Sequence, residues 1–299
     1  YMKILVTGAN GQLGRELLKC SNNLGFVSVG LNRDELDIQD IWCIQKAIEE
    51  YEPDCLINTA AYTSVDKAES ESELAFAINE TAVSFLAKCC KDANIPLVHF
   101  SSDYVFSGNK SGLYSEENHP EPINIYGKSK LAGEYVLQQE CEKFLIFRTS
   151  WVFSMHGNNF LKTMLRLGTQ NESLSVIADQ FGKPTSASEL ARVCLETLRN
   201  KNLGQWGTYH LAQPEITNWH EFSKVIFDKA RLLGFPLKMS SLSPISTDQF
   251  PSVARRPANS ALDCSLLEKT FNLSIKPWSV SVEEVILDLL ENTPILSNS

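Results

Sequence analysis

Tyr126 and Lys130 stand four apart in Tyr126-Gly127-Lys128-Ser129-Lys130, a spacing that puts both on one face of a helix. An ammonium beside a phenol stabilises the phenolate and lowers its pKa, so the tyrosine can exchange a proton with a carbonyl or carbinol oxygen. Upstream, an apolar run ends in His99-Phe100-Ser101-Ser102-Asp103-Tyr104, where the hydroxyl of Ser101 or Ser102 can bind the same oxygen. A second group is Thr7-Gly8-Ala9-Asn10-Gly11-Gln12-Leu13-Gly14, which follows an apolar run and opens an amphipathic one. Glycines at 8, 11 and 14 permit a tight turn, close approach of a pyrophosphate and close helix–strand packing, and the helix N-terminus offers N–H donors to the phosphates. A third is Asn32-Arg33 at the end of the next apolar run. An acid there would hold the ribose of NADH, whereas a cation suits the 2′-phosphate of NADPH, so NADPH is expected and NADH is the alternative. Leu36-Asp37-Ile38 either lines an adenine pocket or leads into a helix capped by Asp40.

These residues need a scaffold that brings strand ends together. Lys3–Thr7, Phe26–Leu31, Cys55–Asn58, Pro96–Ser101 and Phe144–Thr149 read as short buried strands. Amphipathic helices are expected over Asp40–Tyr51 and Ser72–Ala93. Strand and helix alternating in this way mean an α/β fold, a doubly wound parallel (Rossmann) sheet. After Thr149 the pattern loosens. Strands are expected at Ser173–Ile177 and Thr208–Leu211, and helices at Asn159–Leu167, Ser186–Arg199, Trp219–Leu233 and Val280–Leu290. The Ser- and Pro-rich stretch 240–260 reads as irregular. The expected division is a dinucleotide-binding domain over 1–151, its sheet completed by 173–212. A smaller C-terminal substrate domain takes 152–172 and 213–292, and 293–299 form a frayed tail.

The chain has 299 residues, enough to bury about 75% of its unfolded surface without staples. With 27 basic against 36 acidic residues the net charge is -9, which argues against nucleic acid or an anionic membrane surface as partner. No apolar run approaches the ~18 residues of a membrane span. The start Met2-Lys3-Ile4-Leu5-Val6-Thr7-Gly8 turns too soon for a signal peptide, and Tyr1 ahead of it reads as an added residue. Eight scattered cysteines without a Cys-x-x-Cys pair fit a reducing cytoplasm. His99, on an apolar strand, reads as a core residue.

Gly8/Gly11/Gly14, Asn58-Thr59-Ala60-Ala61, Asn79, Ser102 and Tyr126/Lys130 together resemble the extended short-chain dehydrogenase/reductase superfamily. Longer strings narrow the resemblance: Ala61-Tyr62-Thr63-Ser64-Val65-Asp66-Lys67-Ala68-Glu69, Ser102-Asp103-Tyr104-Val105-Phe106, Arg148-Thr149-Ser150-Trp151-Val152-Phe153, Gly157-Asn158-Asn159-Phe160 and Arg256-Pro257-Ala258-Asn259. In this order, from Met2 to about Leu290, the chain is similar to the dTDP-4-dehydrorhamnose reductase family. That resemblance implies reduction of the C4 ketone of dTDP-4-dehydro-6-deoxy-L-mannose to dTDP-L-rhamnose, by hydride from NADPH or NADH, in a cytoplasmic homodimer. It implies Tyr126 as general acid, Lys130 as the cation that lowers its pKa and holds the nicotinamide ribose, and Ser102 as a ligand of the C4 oxygen. Serine stands at 102 where many relatives have threonine, which keeps the hydroxyl and gives up some rigidity.

By the same resemblance the cofactor falls to Gly8, Asn10, Gly11, Gln12, Leu13, Gly14, Asn32, Arg33, Asp37, Ile38, Ala60, Ala61, Tyr62 and Asn79, beside Tyr126 and Lys130. The substrate falls to Val65, Ser102, Asp103, Tyr104, Trp151, Asn159 and Arg256, with Trp151 as a flat face for sugar or base and Asn159 and Arg256 as donors to the diphosphate. Tyr104 follows Asp103 where the related 4,6-dehydratases carry a glutamate, which speaks against elimination. Some members are dimers with Mg²⁺ between carboxylates, which here would be Glu16, Glu189 and Glu291; the same residues also read as exposed helix charges. Alternatives are an epimerase or ketoreductase for another nucleotide sugar, and a non-catalytic NADP-binding regulatory subunit.

Overall fold

The five early apolar runs form β1 (Lys3–Thr7), β2 (Val27–Leu31), β3 (Cys55–Asn58), β4 (Leu97–Ser102) and β5 (Phe144–Thr149). The structure is a computed structural model that describes residues 1–292; the expected tail at 293–299 lies outside the described residues. With Gly207–His210 the five strands make one six-stranded parallel sheet, ordered Gly207–His210, β5, β4, β3, β1, β2. β1 lies between β2 and β3, so the strand order reverses there and a crevice opens beyond the carboxyl ends.

Alternation along the strands serves two cores. Ile4, Val6, Ile57, Val98, Phe100, Leu145 and Phe147 face one layer, with Leu13 and Leu17 of α1 (Gln12–Asn23). Leu5, Leu56, Leu97 and Ile146 face the other, with Ile44 and Ile48 of α2 (Ile41–Tyr51). The Asp40 carboxylate caps α2, accepting from the Trp42 N–H at 2.9 Å, as its position predicts. A third core gathers Phe153, Leu161, Leu165, Phe222, Ile226, Trp278 and Val282. Its helices Phe160–Gln170 and Trp219–Leu232 start on Asn159 and Asn218 caps. Among the described residues no helix is long and apolar enough to cross a membrane.

Three expectations change. The run expected as one helix from 72 to 93 is α-helical at Ser72–Phe76, π-helical at Ala77–Thr81 and α-helical again at Ala82–Asp92. The wider turn admits an extra residue and places Asn79 inside, against the helix Ile125–Glu140, where a Cβ on Gly133 would come within 2.0 Å of the Asn79 carbonyl. Of the residues 173–212, only Gly207–His210 joins the main sheet. Ser173–Ile177 instead pairs in parallel with Ser241–Ile245, inside the stretch read as irregular. Pro244 in that strand hides the strand pattern in the sequence, and an isolated two-stranded pair tolerates its missing N–H.

Candidate active site

β1 ends on Gly8, whose φ is +66° and whose absent Cβ would stand 2.7 Å from the Ala60 nitrogen. A side chain there would be strained and would collide with the β3 end. Gly14 is needed for packing: its Cβ would lie 2.5 Å from the Gly8 carbonyl. Gly11 is the N-cap of α1 and gives it no side-chain cap, so the first-turn N–H groups and the positive end of the helix remain for an anion. A cavity of about 840 Å³ lies over this turn. Gly8, Asn10, Gly11, Gln12 and Leu13 line one end, and Asn32, Arg33, Asp37 and Ile38 the β2 side. Ala60 and Ala61 come from the β3 end, and Tyr126 and Lys130 stand at the far side. Asp37 and Ile38 thus line the cavity while Asp40 caps α2; the two sequence readings are compatible.

Tyr126 and Lys130 project from the first turns of Ile125–Glu140, which Asn124 caps by accepting from the Gly127 N–H at 2.7 Å. Lys130 is 2% exposed, and its Nζ donates to the Phe100 carbonyl at 2.6 Å. Burial pulls its pKa down to about 8, against the opposing pull of Glu134. Glu134 is itself buried and takes a two-pronged grip on Arg148, with the closest contact at 2.6 Å. Burial pushes the Tyr126 phenol up to about 12, although it shares a hydrogen bond with Ser102. Desolvation outweighs that bond, so the phenol stays protonated at neutral pH. Asp103 is 2% exposed, with burial raising its carboxyl to about 7 against hydrogen bonds from Ser260 and Ser102. Its Oδ2 has no partner among the described residues. Tyr104 meets Tyr126 edge-on at 5.9 Å.

The remaining expected residues sit differently. Tyr62 and Asn79 do not line the cavity; the Asn79 amide clips the Tyr62 backbone, accepting from its N–H at 2.9 Å and donating to its carbonyl at 3.0 Å, and steadies the wall from behind. Half-buried Val65 opens the short helix Val65–Ala68. Its neighbour Asp66 accepts from Arg256 at 2.9 Å, so Arg256 is committed to Asp66 and to Tyr104. Trp151, at φ +48°, stacks on Trp219 at 3.5 Å and lies against Gly182, and it is not among the residues that line the cavity. Asn159 spends its side chain on the Phe160–Gln170 cap and on Gln12.

Within one chain the three carboxylates do not come together. Glu189 is buried and held by Arg192 at 2.6 Å and the Lys276 N–H at 2.9 Å. Glu16 is buried beside His156 at 3.5 Å, and Glu291 is exposed near the end of Trp278–Asn292. Among the described residues no three His, Cys, Asp or Glu gather for a metal. His99 is buried, with Nδ1 3.0 Å from the Asn58 amide nitrogen, and burial drives its pKa well down. Of the two strand-end hydroxyls that the sequence offered, Ser101 lines the cavity and Ser102 stands outside that lining; cavity residues that sequence reasoning passed over include Thr149, Gly157, Asn158 and Leu190. Ser101 was legible as a strand-end hydroxyl, but the 149–158 and 190 contributions depend on how distant segments fold back.

The family model described as RmlD substrate binding domain matches residues 2–291. The dTDP-4-dehydrorhamnose reductase of Salmonella typhimurium is 39% identical, with 98% of this chain and 100% of that protein aligned. The one from Burkholderia thailandensis is 41% identical over 97% of this chain and 99% of its own. The crystal structure of dTDP-4-dehydrorhamnose reductase from Bacillus anthracis in complex with NADP superposes with a TM-score of 0.90 at 36% identity, covering 96% of this chain and 99% of that one.

Proposed function

This chain belongs to the dTDP-4-dehydrorhamnose reductase family, and we propose that it reduces the C4 ketone of dTDP-4-dehydro-6-deoxy-L-mannose to dTDP-L-rhamnose with NADPH. The observation that carries this reading is that Tyr126 and Lys130 open onto the same cavity as the glycine-rich turn. The cradle fits a dinucleotide: glycines where a Cβ would intrude, an uncapped helix N-terminus, and Arg33 at the β2 end for a 2′-phosphate. When bound, NADPH supplies the hydride.

The chain's own part is binding, orientation and the proton. Tyr126 keeps its proton at neutral pH and gives it to the C4 oxygen as charge develops there, while Ser102 aligns the phenol and binds the same oxygen. The buried Lys130 cation offsets the charge left on Tyr126, and its remaining N–H donors hold the nicotinamide ribose. Asp103 and Tyr104 bind the sugar. Arg256 turns from Asp66 to the diphosphate, an exchange of one anion for another. Val65 packs near the sugar. Residues 1–151 with Gly207–His210 serve the cofactor, and 152–172 with 213–292 serve the substrate. A homodimer is the reading the family resemblance supports, and eight free cysteines fit a reducing cytoplasm.

The experiment is to follow NADPH loss with the ketosugar made in situ from dTDP-glucose by a 4,6-dehydratase and a 3,5-epimerase. Turnover that requires both the epimerase and Tyr126 is expected. Turnover without the epimerase would make the protein a reductase for another sugar, and NADPH binding without turnover would make it a regulatory subunit.

A further inference from the structure

Gln12 lines the cavity at the start of α1, yet its side chain is held from more than a hundred residues away in the sequence. Asn159 Nδ2 donates to Gln12 Oε1 at 3.0 Å, and Ser154 Oγ lies 3.1 Å from the same oxygen. Gly157 makes room: at φ +60° its Cβ would stand 3.2 Å from Gln12 Cγ. The direction of these bonds is fixed by the helix that follows. The Lys162 N–H at the start of Phe160–Gln170 donates to Asn159 Oδ1 at 3.1 Å, so the amide end of Asn159 is the one turned to Gln12. That end also donates to the Ser154 carbonyl at 2.7 Å, a contact only an N–H can make. Gln12 must then offer Asn159 its oxygen. Its own amide nitrogen, with two N–H donors, is left for the cavity.

The geometry points to Asn159 as a positioning residue that sets the polarity of Gln12, so that a donor and not an acceptor faces the phosphates of the dinucleotide. This rests on the cavity being the NADPH site, and it gives Asn159 a part unlike the direct substrate contact its sequence position invites. A freely rotating glutamine would present oxygen or nitrogen with little preference, and an oxygen there repels a pyrophosphate. The helix cap removes that choice through one intervening side chain.

The test is a double-mutant cycle on NADPH dissociation constants, read from NADPH fluorescence with purified full-length protein. Asn159→Ser keeps a good helix cap but has no amide to donate. It is expected to weaken NADPH about three- to tenfold, the worth of one hydrogen bond to a charged group held in place only part of the time. The KM for the sugar nucleotide stays within about twofold. Gln12→Ala is expected to weaken NADPH by about tenfold or more, and adding Asn159→Ser to it costs less than twofold further. Full additivity, or a Gln12→Ala protein that binds NADPH like the parent, would overturn the proposal. If Asn159→Ser does not fold, Gln12→Glu decides from the other end. It keeps the oxygen that Asn159 needs and turns a carboxylate oxygen to the phosphates, so it must bind NADPH more weakly than Gln12→Ala; parent-like binding sinks the idea. Fluorescence reports NADPH whether or not the sugar is turned over, so failure of the substrate assignment is distinguishable from failure of the Gln12 relay.

Discussion

The two walls of the site are built on different principles. The cofactor wall is mostly backbone: a glycine turn, a helix N-terminus and strand ends, whose residues meet the cavity directly. Residues expected on the substrate side are held first by other side chains. Arg256 grips Asp66, Trp151 stacks on Trp219, and Asn159 is committed to Gln12. The backbone donors of an anion site are in place once its local sequence folds, and only the Gln12 side chain there waits on a distant partner. A side-chain-built site of polar groups satisfies those groups internally, because leaving them unpaired costs about 1–3 kcal/mol each. Substrate binding there is an exchange of partners.

Where the walls meet, Tyr126→Phe has the largest expected effect. It removes the proton donor and should lower kcat by about 10²–10⁴ with NADPH affinity nearly unchanged, as single-turnover kinetics and NADPH titration would check. Unaltered kcat would detach Tyr126 from the chemistry altogether. Arg256→Ala should raise the KM for the sugar nucleotide about ten- to hundredfold and spare the NADPH dissociation constant. If both suffer alike, the two walls are one. Lys130 is charged below its pKa of about 8. Raising the pH through that value removes the cation, so kcat/KM should fall by up to about tenfold per pH unit above it in a steady-state profile. A flat profile to about pH 10 would contradict the assigned role.

Arg33→Ala bears on the cofactor wall alone. It should weaken NADPH by about fivefold, a modest loss because Arg33 is exposed. NADH should hardly respond, and equal losses would show that Arg33 does not read the 2′-phosphate. The smallest effect is on stability. His210 is buried, and burial lowers its pKa to about 3, below its unfolded value, so it supports the fold above about pH 6.5. That support is lost as pH falls toward about 3. Denaturant titrations at about pH 7 and 4 should therefore show His210→Gln losing less stability on acidification than the parent, by about 1 kcal/mol or more.

Much of this was legible in the sequence where the signal was local. Strands β1 to β5 announced themselves by apolar runs, Asp40 by its place ahead of α2, and the glycine turn by its spacing. Tyr126 and Lys130 fell on one helix as their spacing required. What escaped depended on distant partners. No spacing rule says that Asn159 faces Gln12, that Trp219 covers Trp151, or that Ser173–Ile177 leaves the main sheet for Ser241–Ile245. The tyrosine's raised pKa escaped for the same reason: proximity to lysine was visible, but the depth of burial was not.

The π-helical turn at Ala77–Thr81 sets two demands on one stretch of chain against each other. One residue of surplus is a phase error of about 100° in an α-helix. Here that error is absorbed in a single turn, which lets Ala75 and Ala82 both stay buried while Ile78 reaches the cavity and Asn79 reaches Tyr62. Shortening the turn by one residue would mend the helix and spoil the wall: the segment before it would swing out of step with the segment after it, and the Tyr62 backbone would lose its clip. A locally better helix is a poorer support at this point, so length across this turn is under tighter constraint than the identity of most residues in it.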